Sequence, residues 1–251
     1  LTDKSALPKM TIVTPSLNQG RYLEKTIRSV LLQGYPDLEY IVLDGGSSDN
    51  SVDIIKKYGD HISYWHSKPD GGQAQAINRG FFLGKGRILA WLNSDDFYEP
   101  GALICAAEHL QKTKNCAAVV GIGRMIDETG REMWRLDRER LDHEDLLNWW
   151  FGNDFLQPAC FFTRKAFEAC GALNEQLYFA FDLELWLKMS KLFKFERSPN
   201  VFANALCHPA AKTVAFRQRL AEEVSDLFAG MGHKGMAKKI RAAASEEALK
   251  K

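Results

Sequence analysis

The 251-residue sequence predicts an α/β fold with a mostly parallel, Rossmann-like central sheet flanked by helices. Two observations support this prediction. Apolar runs rich in β-branched residues alternate four times with segments of helical periodicity, and polar residues directly follow several of those runs. Strands that alternate with helices at short intervals form parallel sheets with right-handed crossovers. We therefore expect ligands to gather at the carboxyl ends of the strands.

The first 115 residues contain all four repeats of this pattern. The predicted strands span residues 10–15, 39–43, 62–65 and 88–92. The predicted helices span residues 22–32, 51–58, 73–83 and 100–110. Glycines end the first three helices, and Pro100 suits the first turn of the fourth because that turn needs no backbone donor there.

After residue 115 the pattern changes. Residues 118–127 and 132–136, joined by a turn at 128–130, predict a small antiparallel hairpin. The remaining predicted elements are a helix at 142–150, a strand at 158–162, helices at 164–169 and 184–192, and an extended segment at 201–207. Because no linker interrupts residues 1–214, we expect one domain there, followed by a helical, basic tail over 215–251.

The tail has two interpretations. It is either a solvated or frayed end, or a weak attachment to an anionic membrane surface. The second interpretation depends on its basic residues, which include Lys234, Lys238, Lys239 and Arg241.

The composition excludes several classes of protein. Thirty-three basic and 32 acidic residues give a net charge of +1, without the basic excess of a nucleic-acid-binding protein. No run approaches the roughly 20 apolar residues of a transmembrane helix, and residues 1–9 do not resemble a signal peptide. Five scattered cysteines without a C-x-x-C pair favour buried thiols over disulfides or zinc. We expect a cytoplasmic location, with peripheral contact at the inner membrane face or membership of a larger protein as further options.

Asp95 and Asp96 follow the apolar strand that ends at Leu92. Adjacent carboxylates beside a buried strand repel each other unless a cation or hydrogen-bond donors compensate. Carboxylate oxygens suit Mg²⁺ or Mn²⁺, and such a cation stabilises a departing diphosphate. The pair fits a helix N-cap or a turn before Pro100 equally well.

Two glycine-containing loops lie near the same edge of the predicted sheet. Asp44 opens the segment 44–49, where glycines allow a ligand to approach and carboxylates can accept hydrogen bonds from a base or ribose. The segment 70–73 leads into a helix from which Arg79 could reach a phosphate, although a solvated arginine is the common alternative. The first strand leads into residues 15–18 rather than a G-x-G-x-x-G fingerprint, which disfavours nicotinamide chemistry.

Asp182 lies in an aromatic run, and apolar surroundings raise the pKa of a carboxyl group and make it a better base near neutral pH. Trp186 offers a flat face of the kind on which sugar rings stack. The alternative is an N-cap at Asp182 with Trp186 in the core. His208, followed by Lys212, could contact a metal or a diphosphate, whereas a lone histidine is more often structural.

Taken together, these segments resemble family 2 glycosyltransferases of the GT-A fold. The resemblance extends from about Met10 to Thr213 and rests on residues 14–18, 42–49, 70–78, 91–96, 181–186 and 208–213. Two positions depart from the common pattern, since Gly45 and Asn93 stand where many relatives have Asp. The Q-x-x-R-W motif of processive synthases is absent, so the resemblance implies a non-processive enzyme that adds one sugar.

The resemblance implies an inverting transfer from a nucleoside diphosphate sugar, with a UDP-sugar as the expected donor, to a saccharide or lipid-linked acceptor. Asp182 would be the general base, Asp96 and His208 would hold Mn²⁺ or Mg²⁺, and Phe181 and Trp186 would contact the acceptor. The residues expected in the nucleotide-sugar site are Pro15, Ser16, Asn18, Asp44, Gly72, Gln73, Asn78, Arg79, Asn93 and Asp95. Residues 9–115 would form the nucleotide-binding half and residues 116–214 the acceptor-binding half.

Two other functions are also compatible with the sequence. A sugar-1-phosphate nucleotidyltransferase shares the sheet architecture, but it should carry a glycine-rich loop with Arg and Lys after the first strand, and residues 17–20 match that poorly. A catalytically silent module that binds nucleotide sugars is the second alternative. The presence of Asp96 and Asp182 argues against it.

Overall fold

A nine-stranded, mostly parallel sheet forms the centre of the computed structural model, which describes residues 7–113, 115–152, 154–209, 211–212 and 216–248. The strands are β1 (Met10–Ser16), β2 (Leu38–Asp44), β3 (Tyr64–Ser67), β4 (Ile88–Trp91), β5 (Phe97–Tyr98), β6 (Cys116–Ile126), β7 (Glu132–Leu136), β8 (Cys160–Thr163) and β9 (Lys194–Leu206). Thr213 and Ala215, at the predicted boundary between domain and tail, lie outside the described residues.

The described helices lie between and after these strands. They are α1 (Gly20–Leu31), α2 (Ser51–Lys57), α3 (Gln73–Leu83), α4 (Ala102–Lys112), α5 (His143–Leu146), α6 (Arg164–Cys170), α7 (Phe181–Leu192), α8 (Arg217–Gly230) and α9 (Lys234–Ala248). Short 3₁₀ helices span Gly59–His61, Trp149–Phe151 and Gln157–Ala159. The predicted α/β class is confirmed.

The strand order is β3-β2-β1-β4-β8-β6-β9-β5, with β7 paired to β6. The first four strands are parallel, whereas β8 runs antiparallel to both β4 and β6. The chain moves outward from β1 to β3 and then returns to place β4 on the other side of β1. Such a reversal opens a crevice at the carboxyl ends of the strands, where ligands bind in open α/β sheets. The predicted hairpin is confirmed as β6 and β7.

Helices cover both faces of the sheet because the buried strands are apolar on both sides. On one face, Leu23 and Ile27 of α1 pack with Leu103 of α4. On the other face, α3, α6, α7, α8 and α9 contribute to a second apolar cluster, which contains Trp91 and Trp186. The ends of the strands are thereby held between two packed layers.

Several element boundaries differ from the prediction. Helix α4 begins at Ala102, after Gly101 with φ +82°, so Pro100 precedes the helix instead of occupying its first turn. The predicted helix at 142–150 divides into α5 and a 3₁₀ turn. The predicted strand at 158–162 begins as a 3₁₀ turn containing Pro158, which has no backbone N–H to donate to a sheet, and continues as β8.

The interpretation of the tail as a solvated or frayed end is wrong for its described residues. Helices α8 and α9 bury apolar side chains in the same cluster as α7, namely Val224, Leu227, Phe228, Ala237 and Ile240. The basic residues named above are exposed on α9. In the described part of the chain, no helix has the length and apolarity to cross a membrane.

Candidate active site

The carboxylate of Asp44 shapes the loop that follows β2. It is fully buried, and its Oδ2 accepts hydrogen bonds from the Ser47 backbone N–H at 2.8 Å and the Ser67 hydroxyl at 2.7 Å. The backbone N–H of Gly46 also donates to Oδ2, at 3.1 Å. Gly46 has φ +88°, a conformation that favours glycine. Asp44 therefore positions the backbone of this loop at the edge of the crevice.

Asn18 ties the loop after β1 to the loop after β2. Its Oδ1 accepts from the backbone N–H of Ser48 at 2.8 Å, and its own N–H donates to Oγ of Ser47 at 2.7 Å. Ser16, at the end of β1, has a buried hydroxyl with no hydrogen-bond partner among the described residues. Pro15 beside it is buried. Because buried polar groups are rarely left unpaired, this hydroxyl marks a place where a ligand could bind.

Asp95 and Asp96 lie in different environments. Asp96 is buried, and its two carboxylate oxygens accept from the Leu206 backbone N–H and the Asn93 amide, both at 3.1 Å. Burial, and then the charge of Asp95, raises the pKa of Asp96 well above its usual range. The Asp95 side chain is 19% exposed, and its Oδ2 lies 3.1 Å from Nε2 of His208. Asp95 is therefore the more accessible carboxylate of the pair.

The imidazole of His208 is buried beside Asp95. The Tyr22 ring packs against it with a centroid distance of 4.8 Å, and the Tyr22 hydroxyl donates to Glu128 at 2.8 Å. No group of three or more His, Cys, Asp or Glu side chains in the described ranges is placed to hold a metal ion. Asp95 and His208 are thus two neighbouring side chains that could ligate a metal ion. The other ligands of that ion would have to come from a bound substrate or from water.

A chain of side chains connects the end of β4 to the segment before α7. Asn93 Oδ1 accepts from Gln73 Nε2 at 2.7 Å, and Gln73 Oε1 accepts from Lys212 Nζ at 3.0 Å. Lys212 Nζ lies 4.1 Å from the centroid of the Tyr178 ring. Burial lowers the pKa of Lys212, although neighbouring carboxylates oppose this. The predicted residues Gln73 and Asn93 therefore lie together, near the accessible Asp95.

Asp182 is the second residue of α7. Burial raises its pKa to about 6, and the backbone N–H of Leu183, which donates to its Oδ1 at 2.7 Å, opposes that change. The neighbouring Phe181 ring lies 6.4 Å from the ring of Trp91, the last residue of β4. The start of α7 is thus packed against the strand that leads to Asp95.

Trp186 does not have the predicted acceptor-binding role, because its side chain is 0% exposed. Its ring stacks on Trp91 at a centroid distance of 5.5 Å and an interplanar angle of 7°. Phe181 is also buried, so neither ring presents a face to an acceptor. The alternative interpretation is therefore confirmed for Trp186, which lies in the core, but its N-cap at Asp182 is wrong, because the N-cap residue of α7 is Ala180. Tyr178, which is 50% exposed, is an accessible aromatic ring on this side of α7.

Asn78 does not point its polar atoms at the strand ends. Its amide nitrogen donates to Leu173 O and Glu175 Oε1, both at 2.9 Å, and its Oδ1 accepts from the Leu173 backbone N–H at 2.9 Å. These contacts hold the loop that precedes α7 and do not support the predicted role in the nucleotide site. Arg79 is exposed, and Gly72, also exposed, is the N-cap of α3 with φ +110°.

Two residues of this region were missed by the sequence analysis. Glu223 of α8 accepts hydrogen bonds from the backbone N–H groups of residues 178–180. Gln157 donates to the backbone oxygen of Trp91 at 2.9 Å, and its Oε1 accepts from Asn93 at 3.3 Å. Neither residue stands in a recognisable motif, since Glu223 is one of several acidic residues on an amphipathic helix. Long-range packing alone brings them to the site.

The fold is similar to solved structures of transferases. The chain aligns with residues 1–349 of TarS from S. aureus in complex with UDP-GlcNAc, with a TM-score of 0.71 and 15% identity, covering 94% of this chain and 71% of that one. It also aligns with a mannosyltransferase from Pyrobaculum calidifontis in complex with GDP-Man and Mn²⁺. That TM-score is 0.70 at 17% identity, covering 98% of this chain and 76% of the other. The predicted GT-A fold is confirmed.

Sequence comparison gives the family. An uncharacterized glycosyltransferase of Rickettsia prowazekii is 30% identical over 233 residues, covering 89% of this chain and 71% of the relative. A chondroitin synthase of Pasteurella multocida is 29% identical over 205 residues, but they make up 80% of this chain and only 21% of that protein. The family model described as glycosyl transferase family 2 matches residues 11–171. This chain is therefore a member of glycosyl transferase family 2 and a glycosyltransferase.

Proposed function

We propose that this glycosyltransferase moves one sugar from a nucleoside diphosphate sugar to an acceptor hydroxyl with inversion at the anomeric carbon, and that Asp182 is the general base. The observation that carries this proposal is the place of Asp182, whose pKa is raised to about 6 at the start of a helix packed against β4. A carboxylate with such a pKa is deprotonated at neutral pH and still basic enough to accept a proton.

The proposed reaction is a single displacement at the anomeric carbon. The acceptor oxygen forms a bond to the anomeric carbon while the bond from that carbon to the diphosphate oxygen breaks. The electron pair leaves with the nucleoside diphosphate, and the acceptor proton moves to Asp182. No covalent bond between sugar and protein is needed, and a single displacement inverts the configuration.

We infer that the donor binds at the ends of β1, β2 and β4. The loops set by Asp44 and Asn18 would surround the base and ribose, and the unpaired hydroxyl of Ser16 would contact the nucleotide. Lys212, held by Gln73, lies close enough to Asp95 for their charges to interact, so it can screen the diphosphate. A UDP-sugar is the donor we would test first, and the solved relatives in complex with UDP-GlcNAc and GDP-Man support the donor class.

The residues present fit a divalent metal, and we assign it to Asp95 and His208. Adjacent ligands of an octahedral Mg²⁺ or Mn²⁺ ion, each about 2.1 Å from the metal, lie about 3 Å apart. Oδ2 of Asp95 and Nε2 of His208 are 3.1 Å apart. This assignment differs from the sequence prediction of Asp96, whose oxygens accept from Leu206 and Asn93. When bound, the cation would stabilise the negative charge that develops on the diphosphate.

The acceptor is expected to be a saccharide or a lipid-linked saccharide. It would approach from the side of Tyr178, whose exposed ring and neighbouring Lys212 face the same region. A cytoplasmic location with peripheral membrane contact through the exposed basic residues of α9 is a prediction of the same proposal.

The decisive experiment measures release of nucleoside diphosphate from a panel of nucleotide sugars, with Mn²⁺ and with a chelator, for the wild type, Asp182→Asn and Glu184→Gln. Glu184 lies on the same helix and pairs with Lys188, so it is a matched control. Asp182→Asn should lose about 10²–10⁴-fold in rate, and Glu184→Gln should retain most of it. Full activity of Asp182→Asn would show that another group is the base. Retention of the donor's anomeric configuration in the product, read by NMR, would contradict inversion.

The alternatives predict different outcomes. A silent module would bind a nucleotide sugar, and so gain thermal stability, without releasing diphosphate from it. A nucleotidyltransferase would form nucleotide sugars from a sugar phosphate. The family assignment argues against the nucleotidyltransferase.

A further inference from the structure

Helix α8 reaches the candidate active site through the carboxylate of Glu223. Its Oε1 accepts from the backbone N–H groups of Phe179 and Ala180, both at 2.7 Å, and its Oε2 accepts from that of Tyr178 at 2.9 Å. Ala180 is the N-cap residue of α7 and has no side chain that can cap the helix. Glu223 therefore supplies, from the C-terminal part of the chain, the acceptor and the negative charge that the start of a helix favours.

Glu223 stands on a firmly packed helix. Val224, Leu227 and Phe228 of α8 belong to the same apolar cluster as residues of α7. The Ser225 hydroxyl donates to the backbone oxygen of Ala237 at 2.9 Å, which joins α8 to α9. The packing of α8 in the core thus fixes the position of Glu223.

The segment 178–180 connects two parts of the site. At one end, the Tyr178 ring lies under the ammonium group of Lys212, which begins the hydrogen-bonded chain to Asn93. At the other end, Asp182 follows after one residue. A shift of this segment would therefore move both Tyr178, on the proposed acceptor side, and Asp182, the proposed base.

Glu223 also acts on Asp182 through its charge. Burial is the main cause of the raised pKa of Asp182, and the negative charge of Glu223 raises it further. Among the described residues, Glu223 on α8 is the charged group that shifts the pKa of Asp182. The acid limb of the pH–rate profile is therefore a readout that a merely structural residue would leave unchanged.

We propose that Glu223 is a positioning residue for sugar transfer, which holds the segment 178–180 and through it places Asp182 against the acceptor hydroxyl. The inference rests on the proposed role of Asp182 as the base. It makes the C-terminal helices part of the catalytic unit, whereas the family match ends at residue 171.

The first test measures the geometry without reference to activity. Glu223→Gln removes the charge and at least one acceptor, whereas Glu222→Gln removes the same charge from the neighbouring exposed position. Amide hydrogen exchange followed by mass spectrometry should show faster exchange at residues 178–180 in Glu223→Gln, by about 10-fold or more, and wild-type exchange in Glu222→Gln. Unchanged exchange in Glu223→Gln would overturn the proposal.

The second test measures transfer in the full chain. Glu223→Gln should lower kcat by about 10- to 100-fold, because small misplacements of reacting groups are costly, while the Kd of the donor from calorimetry stays unchanged. Its acid limb should move to lower pH, because the charge that raises the pKa of Asp182 is gone. If Glu223→Gln does not fold, Glu223→Asp is the second variant, because it keeps the negative charge on a side chain that is too short for the same hydrogen bonds. It should lose kcat and retain the acid limb of the wild type.

The outcomes separate this inference from the proposed function. An inactive Asp182→Asn together with a fully active Glu223→Gln would refute the positioning role and leave the base assignment intact. A fully active Asp182→Asn would refute the base assignment itself. If Glu222→Gln loses as much kcat as Glu223→Gln, the loss comes from the lower charge of the helix and not from the contacts of Glu223. That result would overturn the proposal.

Discussion

Nε2 of His208 lies 3.1 Å from Oδ2 of Asp95, although the two residues are 113 positions apart in the chain. Asp95 follows β4, and His208 follows β9, which β6 and β8 separate from β4 in the sheet. The contact is made beyond the strand ends and brings a carboxylate and an imidazole to one point. Asp96, the neighbouring carboxylate, instead turns towards backbone and amide donors.

This relationship predicts which carboxylate binds the metal. Asp95→Asn should weaken Mn²⁺ binding by about 10- to 100-fold, and Asp96→Asn should have a smaller effect, because Asp95 shares its position with His208. Isothermal titration of Mn²⁺ in the presence of a nucleoside diphosphate measures both. A larger loss in Asp96→Asn would restore Asp96 as the ligand.

The raised pKa of Asp182 predicts how transfer depends on pH. The base must be deprotonated to accept a proton, so kcat should fall as pH decreases through about 6. One pH unit below that value, only about a tenth of the molecules carry the deprotonated base. The measurement is kcat at saturating donor between pH 4.5 and 8, with folding monitored by circular dichroism. A rate independent of pH down to 5 would contradict the assignment.

The same shift predicts a change in stability. The pKa of Asp182 is higher in the folded state than its ordinary value of 3.8, so the folded protein binds a proton more tightly than the unfolded chain does. The charged carboxylate therefore destabilises the fold above pH 6, and that cost is relieved as pH falls from about 6 to about 4. Asp182→Asn should raise the free energy of unfolding at pH 8 by up to about 3 kcal/mol.

Urea denaturation of wild type and Asp182→Asn at pH 8 and at pH 4 checks this prediction. The variant should be more stable at the higher pH and close to the wild type at the lower one. A variant that is less stable at pH 8 would show that the carboxylate makes a net stabilising contact.

The burial of Trp186 predicts a loss of stability rather than of acceptor affinity. Trp186→Ala would remove a fully buried ring that stacks on Trp91, which should cost about 3–5 kcal/mol. Trp134, which is 43% exposed, is the control, and its replacement by Ala should change stability by less than about 0.5 kcal/mol. Denaturant unfolding gives both values. A folded, stable Trp186→Ala with a raised KM for the acceptor would return this ring to the acceptor site.

Much of the nucleotide-binding half could be predicted from local sequence. The four strands and their helices are short-range patterns, and the rule that parallel strands end at one edge of the sheet predicts that residues 15–18, Asp44 and Asp95 lie together. The predictions failed where one side chain had to be oriented. Trp186 and Asn78 lie on the expected helices, but helical spacing does not tell which face meets the core and which meets a ligand.

The sequence was sufficient for the fold class, the family and the edge of the sheet at which polar residues gather, because periodicity and motif order are properties of neighbouring residues. The choice between Asp95 and Asp96 required the tertiary structure, since it depends on donors that arrive from Leu206 and His208 in a distant strand and the loop after it. The packing of the tail helices α8 and α9 against α7 also required the tertiary structure. Helix α8 contacts α7 through Glu223 only because both helices bury their apolar faces in one core, and such a long-range pairing leaves no local signal in the chain.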